Sequence, residues 1–345
     1  MNEAAPNPQL VDVEALTAWM DEQGLSKGPI LNVTVLQGGT QNILLSFSRG
    51  SDRFVLRRPS LHPLTNGNDT MRREMRVLAA LASTDVRHPR LIAACPSTEV
   101  LGASFYLMEE IRGFNVLVGM PQPHAGDPQM RRRMGFSVAD GIAQLGRVDY
   151  LTVGLEDFGK VEGFLSRQVP RWRNMLDGYG KYESWDGRRD IPGIDEIGRW
   201  LENNCPRHFQ PGVLHGDYTL ANVLFREDTS DVAAILDWEM STIGDPLLDL
   251  GWLLTSWPRP TDPTSRKIEP WDGFPTPEEL LAHYRANCTR DMSAIDWYIV
   301  LACYKLGIVL EGTYARACAG KAPQELGQRF HRRTVALFER AIRLI

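Results

Sequence analysis

The sequence has no Cys-x-x-Cys pair and no cysteine–histidine cluster; its five cysteines, Cys95, Cys205, Cys288, Cys303 and Cys318, are widely scattered. That scatter argues against a disulfide framework or a structural zinc site and fits free thiols in a reducing compartment. Long apolar runs are missing as well: the stretch from Trp297 to Leu310 is interrupted by Lys305 and is too short to cross a bilayer. The opening residues MNEAAPNPQL lack the basic-then-apolar order of a secretory leader, so a cytoplasmic location is expected. There is no excess of positive charge. The formal net charge of −5 gives no general pull toward nucleic acid or a membrane surface. Internal repeats, a low-complexity tail and a third domain are not found either. What is present is ordinary for a globular chain: 345 residues, 23% charged and 43% hydrophobic, enough for two lobes with cores of their own. Nothing in the chain fixes an oligomeric state.

The informative stretch runs from Val213 to Leu254. His215-Gly216-Asp217 is followed at the fifth position by Asn222, and Asp237 comes 15 residues after that. Two short apolar runs, Val223 to Phe225 and Val232 to Leu236, flank the polar turn Glu227 to Asp231 and read as a hairpin. Its two ends would bring Asn222 and Asp237 together, with Asp217 on the loop just before. A hard divalent cation takes oxygen ligands and bridges phosphates; Asn222 and Asp237 offer such ligands. A further carboxylate that holds no metal, Asp217, can orient a hydroxyl and accept its proton. The order His-x-Asp-x-x-x-x-Asn, then an Asp beyond a hairpin, matches the catalytic arrangement of kinases. Turn residues of no function could account for His-Gly-Asp alone, but not for the whole spacing.

HGDYTLANVLF followed by ILDWEMSTIGDPLLDLGWLL resembles the aminoglycoside phosphotransferase family, and within it the kinase-like domain fused to some acyl-CoA dehydrogenases. The resemblance extends from Leu36 to about Arg316. It implies an α+β, two-lobed protein-kinase-like fold: a small β-rich N-terminal lobe (residues 1–109) and a larger, mainly helical lobe (110–345) that binds the acceptor. The implied activity is transfer of the γ-phosphate of ATP, with GTP not excluded, to a hydroxyl of a small molecule. A metabolite such as a hydroxyacyl compound ranks above an aminoglycoside, and a protein substrate last. Magnesium would be the cofactor. A catalytically weak nucleotide-binding module is the alternative, because GxGxxG is missing.

In the first lobe, residues 9–23 carry helical apolar spacing, and Ile30 to Ser48 reads as two strands around Gln37 to Asn42. Gly38, Gly39, Thr40 and Asn42 are nucleotide candidates there, since glycine lets backbone amides approach phosphates; most such turns only connect strands. Arg57, on the strand Phe54 to Arg58, stands where kinases have a phosphate-binding lysine, by the resemblance. Arg58 faces the other way and suits a solvated edge position. On the helix from Asp69 to Ala82, Glu74 can pair with Arg57 or simply join the surface arginines Arg72, Arg73 and Arg76; the family pattern favours the first. By the same resemblance, the Glu109 carbonyl and the Ile111 amide hold the adenine after the strand Ser104 to Met108. The resemblance also implies that His215 and Asp249 support the His-Gly-Asp loop, Asp249 by accepting its backbone hydrogen bonds.

Farther on, Arg131, Arg132 and Arg133 open a helix (Met130 to Leu145) and read as a solvated face. Phe164, Trp172, Tyr179, Tyr182 and Trp185 are core residues or lining of an acceptor pocket. Glu239 could help bind a second ion or simply be solvated, and it is left without a role. Asp245 is placed to cap the next helix beside Pro246, and Ala294 to Ala317 reads as a helix pair.

Overall fold

Leu16, Trp19 and Met20 lie three and four residues apart, so one helix face carries them all into the core. That helix, α1 (Val13–Glu22), starts at Asp12, whose Oδ1 accepts the Ala15 N–H at 2.9 Å. The computed structural model describes residues 10–36, 42–60 and 66–345. The expected phosphate turn at Gly38, Gly39 and Thr40 lies outside the described residues.

Two units make up the chain: residues 1–113 with 233–241, and 114–232 with 242–345. The first is built on a five-stranded antiparallel sheet of β1 (Ile30–Val35), β2 (Asn42–Arg49), β3 (Asp52–Pro59), β4 (Leu91–Cys95) and β5 (Phe105–Glu109). The strand order is β1-β2-β3-β5-β4. Leu45, Phe47, Phe54, Leu56, Phe105 and Leu107 meet the buried face of α1 in one core, with Trp19 edge-on to Phe105 at 4.7 Å between centroids. Helix α2 (Gly67–Leu81) packs on this sheet through Met71, Met75 and Leu78. Arg58 departs from expectation. It is buried, and its Nη1 donates to the Leu10 carbonyl at 3.3 Å, because β3 is an inner strand rather than an edge.

The second unit holds α3 (Pro128–Gly146), α4 (Gln168–Asp177), α5 (Ile194–Asn203), the short strands β6 (Gly212–Leu214) and β7 (Val223–Phe225), and the start of β8 (Val232–Ile235), which carries the chain into the first unit. After it come β9 (Thr242–Gly244), α6 (Leu247–Ser256), α7 (Pro277–Ala286), α8 (Ile295–Cys318) and α9 (Gln324–Ile342). Strands β6 and β9 pair antiparallel. The Arg226 N–H donates to the Asp231 carbonyl at 3.0 Å and closes the expected turn after β7. Asp245 Oδ1 accepts the Leu247 N–H at 3.1 Å, the cap expected at the start of α6.

Two further expectations need correction. The segment read as a helix pair is one helix of 24 residues, α8; it contains no proline, and tertiary packing holds it through Gly307. Arg131 is 2% exposed rather than solvated. It donates to the His124 and Ala125 carbonyls at 2.8 Å each and to Asp272 at 2.7 Å, so its charge enters the interior with partners in place.

Helices α6 and α8 cross at very short range. At Gly251 a Cβ would lie 2.7 Å from the Tyr298 carbonyl oxygen, nearer than any side chain tolerates. Only glycine allows the two backbones this close. Among the described residues no helix is long and apolar enough to cross a membrane.

Candidate functional site

In the first unit one buried cation gathers three carboxylates. Arg57 lies on β3 opposite Leu44 and Tyr106, and its side chain is buried. Its Nε donates to Glu74 Oε2 of α2 at 2.9 Å, and its Nη2 to Asp237 Oδ1 at 2.7 Å and Glu239 Oε2 at 3.5 Å. Asn42 Nδ2 donates to the same Glu239 oxygen at 3.0 Å. Burial opposes the Arg57 charge, but the pull of Glu74 and then Asp237 prevails and raises its pKa. For Glu74, burial together with the like charges of Asp237 and Glu239 outweighs Arg57 and lifts the carboxyl to about 7. Burial of the carboxyl is the larger cause, and one cation among three acids adds surplus negative charge.

Asp237 adopts φ 66° and ψ 69°, the left-handed region. A non-glycine residue there costs on the order of 1–3 kcal/mol and is typical of sites where the backbone must present a group. After β5, Ser46 and Arg53 hold Glu110, Ser46 Oγ donating to Glu110 Oε1 at 2.7 Å. Glu109 Oε1 accepts the Arg90 N–H at 3.0 Å. The Ile111 N–H has no protein acceptor among the described residues.

The second unit presents Asp217. Asp249, 1% exposed on α6, accepts the His215 N–H at 2.7 Å and the Gly216 N–H at 2.8 Å with its two oxygens. Burial raises its pKa against those bonds and against His215. Gly216 has φ +84°, a turn that brings both N–H groups to one carboxylate. Asp217 Oδ1 then accepts the Trp252 indole N–H at 2.9 Å, and Oδ2 accepts Asn222 Nδ2 at 3.0 Å. The Asn222 amide also donates to the Asp217 carbonyl at 2.9 Å. Asn115 Nδ2 ties down the following turn through the carbonyls of Leu220, Ala221 and Val223, at 2.9, 2.9 and 3.0 Å.

Lys305 of α8 completes this cluster. Its Nζ donates to the Gly216 carbonyl at 2.9 Å and sits 4.0 Å from the centroid of the Trp252 ring. Burial lowers the Lys305 pKa to about 8, against the attraction of Asp217 and Asp249. The unfolded chain therefore keeps a proton that the folded chain releases sooner, and stability rises with pH between about 8 and about 10.4. Melting temperatures of wild type and Lys305→Met over that range check this: the wild-type curve should climb relative to the variant's, and parallel curves would contradict it.

Thus the structure brings Arg57, Glu74, Asp237 and Asn42 into one cluster and His215, Asp217, Asn222 and Asp249 into another. Sequence reasoning missed four contributors. Glu239 follows Asp237 by two residues, Trp252 follows Asp249 by three, and Asn115 stands just beyond Gly113; only proximity to a motif could have raised them. Lys305 had one signal, a lone charge inside an apolar run.

A model of the phosphotransferase enzyme family matches residues 32–295. The chain belongs to this family. Acyl-CoA dehydrogenase family member 11 of Rattus norvegicus is 29% identical over 325 residues, covering 91% of this chain and 41% of the rat protein. The chain thus spans well under half of that relative. An aminoglycoside phosphotransferase-like protein of Ralstonia eutropha JMP134 is similar in structure, with a TM-score of 0.79 at 28% identity, over 96% of this phosphotransferase-family chain and 99% of that one. A thermostable mutant of the aminoglycoside phosphotransferase APH(4)-Ia, in ternary complex with ADP and hygromycin B, gives 0.60 at 14% identity, over 93% and 97%. The fold is α+β and protein-kinase-like, as the sequence resemblance implied.

Proposed function

We propose that this phosphotransferase-family chain moves the γ-phosphoryl group of ATP to a hydroxyl of a small molecule, with Asp217 as the residue that receives the acceptor. The observation that carries the reading is the Asp217 cradle: Trp252 and Asn222 each hold one carboxylate oxygen, so the group is aimed before any substrate arrives. Preorganisation of this kind is where phosphoryl transfer gains most of its rate. The acceptor hydroxyl would donate to Asp217. Its oxygen forms the new bond to the γ-phosphorus as the bond to the β-phosphate oxygen breaks, and the proton passes to the carboxylate.

The residues suit magnesium. Both Asn222 amide bonds to Asp217 come from Nδ2, so its amide oxygen, a hard donor, takes no part in them. Asp237 gives Arg57 only its Oδ1. Asn222 and Asp237 would hold the ion, in keeping with its preference for one or two carboxylates plus phosphates; among the described residues no cluster of three or more acidic, histidine or cysteine side chains does so alone. Bound magnesium would neutralise phosphate charge. Arg57, steadied by Glu74, would grip further phosphates, and Gly38, Gly39, Thr40, Asn42 and the backbone of Glu109 and Ile111 are the other nucleotide contacts of this reading.

Kinship with acyl-CoA dehydrogenase family members favours a hydroxylated metabolite, such as a hydroxyacyl compound, over an aminoglycoside. The second reading, a weak nucleotide-binding module, draws support from the Arg57 fork being already engaged by three carboxylates. A thermal-shift screen with ATP, GTP and Mg²⁺, followed by nucleotide turnover over a hydroxy-metabolite library, separates the two. Acceptor-dependent, Mg²⁺-dependent ADP release that disappears in Asp237→Ala is the expected result. Binding without turnover of any acceptor would favour the module.

A further inference from the structure

The Lys305 ammonium is an uncommon object beside an aspartate that receives a hydroxyl. It has three N–H donors, and among the described residues it uses one, to the Gly216 carbonyl. No described carboxylate is close enough to form an ion pair with it. Instead two indoles flank it, Trp252 at 4.0 Å and Trp172 of α4 at 5.4 Å from Nζ to the ring centroids. Aromatic faces steady a cation without using up its donors. Trp172 adds a second unspent group: its Nε1–H is buried and has no hydrogen-bond acceptor among the described residues. Buried donors without partners are rare in folded proteins and call for an explanation. Arg171, the neighbour of Trp172, places another positive charge near enough to act on Lys305, and it lies over the Trp172 ring at 5.1 Å.

Two spare ammonium donors, an orphan indole donor and a nearby guanidinium all ask for one thing, an oxygen-bearing anion. Asp249 does not supply it, since both of its oxygens are taken by the His215 and Gly216 N–H groups. Asp217 does not either, being held by Trp252 and Asn222. A carboxylate would meet these donors while its hydroxyl lay against Asp217. We infer that the acceptor is a hydroxy acid, and that Lys305, between Trp172 and Trp252, is the residue that selects it by binding its carboxylate. This rests on the assignment of Asp217 to the acceptor hydroxyl.

The test compares matched pairs, β- and γ-hydroxy carboxylic acids against their methyl esters and against amino-alcohol analogues. Binding is measured by titration calorimetry with wild type, Lys305→Met and Lys305→Arg, each loaded with Mg²⁺ and a non-hydrolysable ATP analogue. Wild type should bind at least one acid about 10- to 100-fold tighter than its ester, the range expected of a charge-assisted hydrogen bond. Lys305→Met should bring that ratio to about one. Lys305→Arg should keep most of it. A purely structural lysine would weaken acid and ester alike and leave the ratio unchanged, and that outcome overturns the proposal. So does equal binding of acid and ester by wild type, a preference for the amino alcohols, or failure of every acid to bind. Those last three outcomes are read on wild type alone, so the question is decided even where a variant does not fold. Turnover of the same compounds with ATP is followed in parallel: an acid-to-ester ratio without any phosphorylation would sink the kinase assignment while leaving the anion site standing.

Discussion

Asp217→Asn should lower turnover of the true acceptor by about 10²- to 10⁴-fold, the range spanned by loss of a positioned proton acceptor, while nucleotide affinity stays within a few-fold of wild type. The variant keeps the shape of the side chain and an oxygen for the Trp252 indole but turns an NH2 toward the Asn222 amide donor, so a melting curve run beside the kinetics separates loss of charge from a loosened loop. Steady-state kinetics and titration with a fluorescent ATP analogue read the two quantities separately. An unchanged kcat would remove Asp217 from the mechanism, and a parallel loss of nucleotide binding would give it a different place.

Arg57→Met should be the most damaging change to stability. It strips the counter-charge from Glu74, which is fully buried, and removes the guanidinium that Asp237 and Glu239 share. Breaking a buried pair by removing one member costs about 3–5 kcal/mol, a large share of the total for a folded unit of this size. Glu74→Gln added to Arg57→Met should return a good part of that loss, because the uncompensated charge goes with it. Urea unfolding of the wild type, both singles and the double completes the cycle. If Arg57→Met alone unfolds at the wild-type urea concentration, the guanidinium is not the hub of this cluster.

The fold was legible where composition and period agreed. The spacing of Leu16 and Trp19 gave α1, Met71, Met75 and Leu78 gave α2, and the apolar run ended by Pro59 gave β3. Strand β4 escaped notice, since Leu91–Cys95 is short and is held as a strand by its ladder with β5 rather than by any periodicity of its own. The placements of Arg58 and Arg131 were misjudged for a related reason. Whether an arginine is buried depends on carbonyls such as those of Leu10, His124 and Ala125, which come from other parts of the chain and have no local mark. The site divides in the same way. Asp217, Asn222 and Asp237 announce themselves by spacing within one segment. Lys305 and Trp252 become neighbours of Asp217 only when α6 and α8 pack, and no reading along the chain pairs residues 53 positions apart by arithmetic alone.

The tight crossing at Gly251 couples the scaffold to the site. The same helix carries Asp249 and Trp252 on one side of that contact, and the facing helix carries Lys305, so the chemistry and the framework share a single mechanical pivot. An alanine at 251 would push its methyl into the Tyr298 backbone and prise the helices apart, slackening the loop anchor, the indole and the ammonium in one stroke. A random mutagenesis screen for inactive protein would therefore yield lesions at this position that touch neither nucleotide nor acceptor.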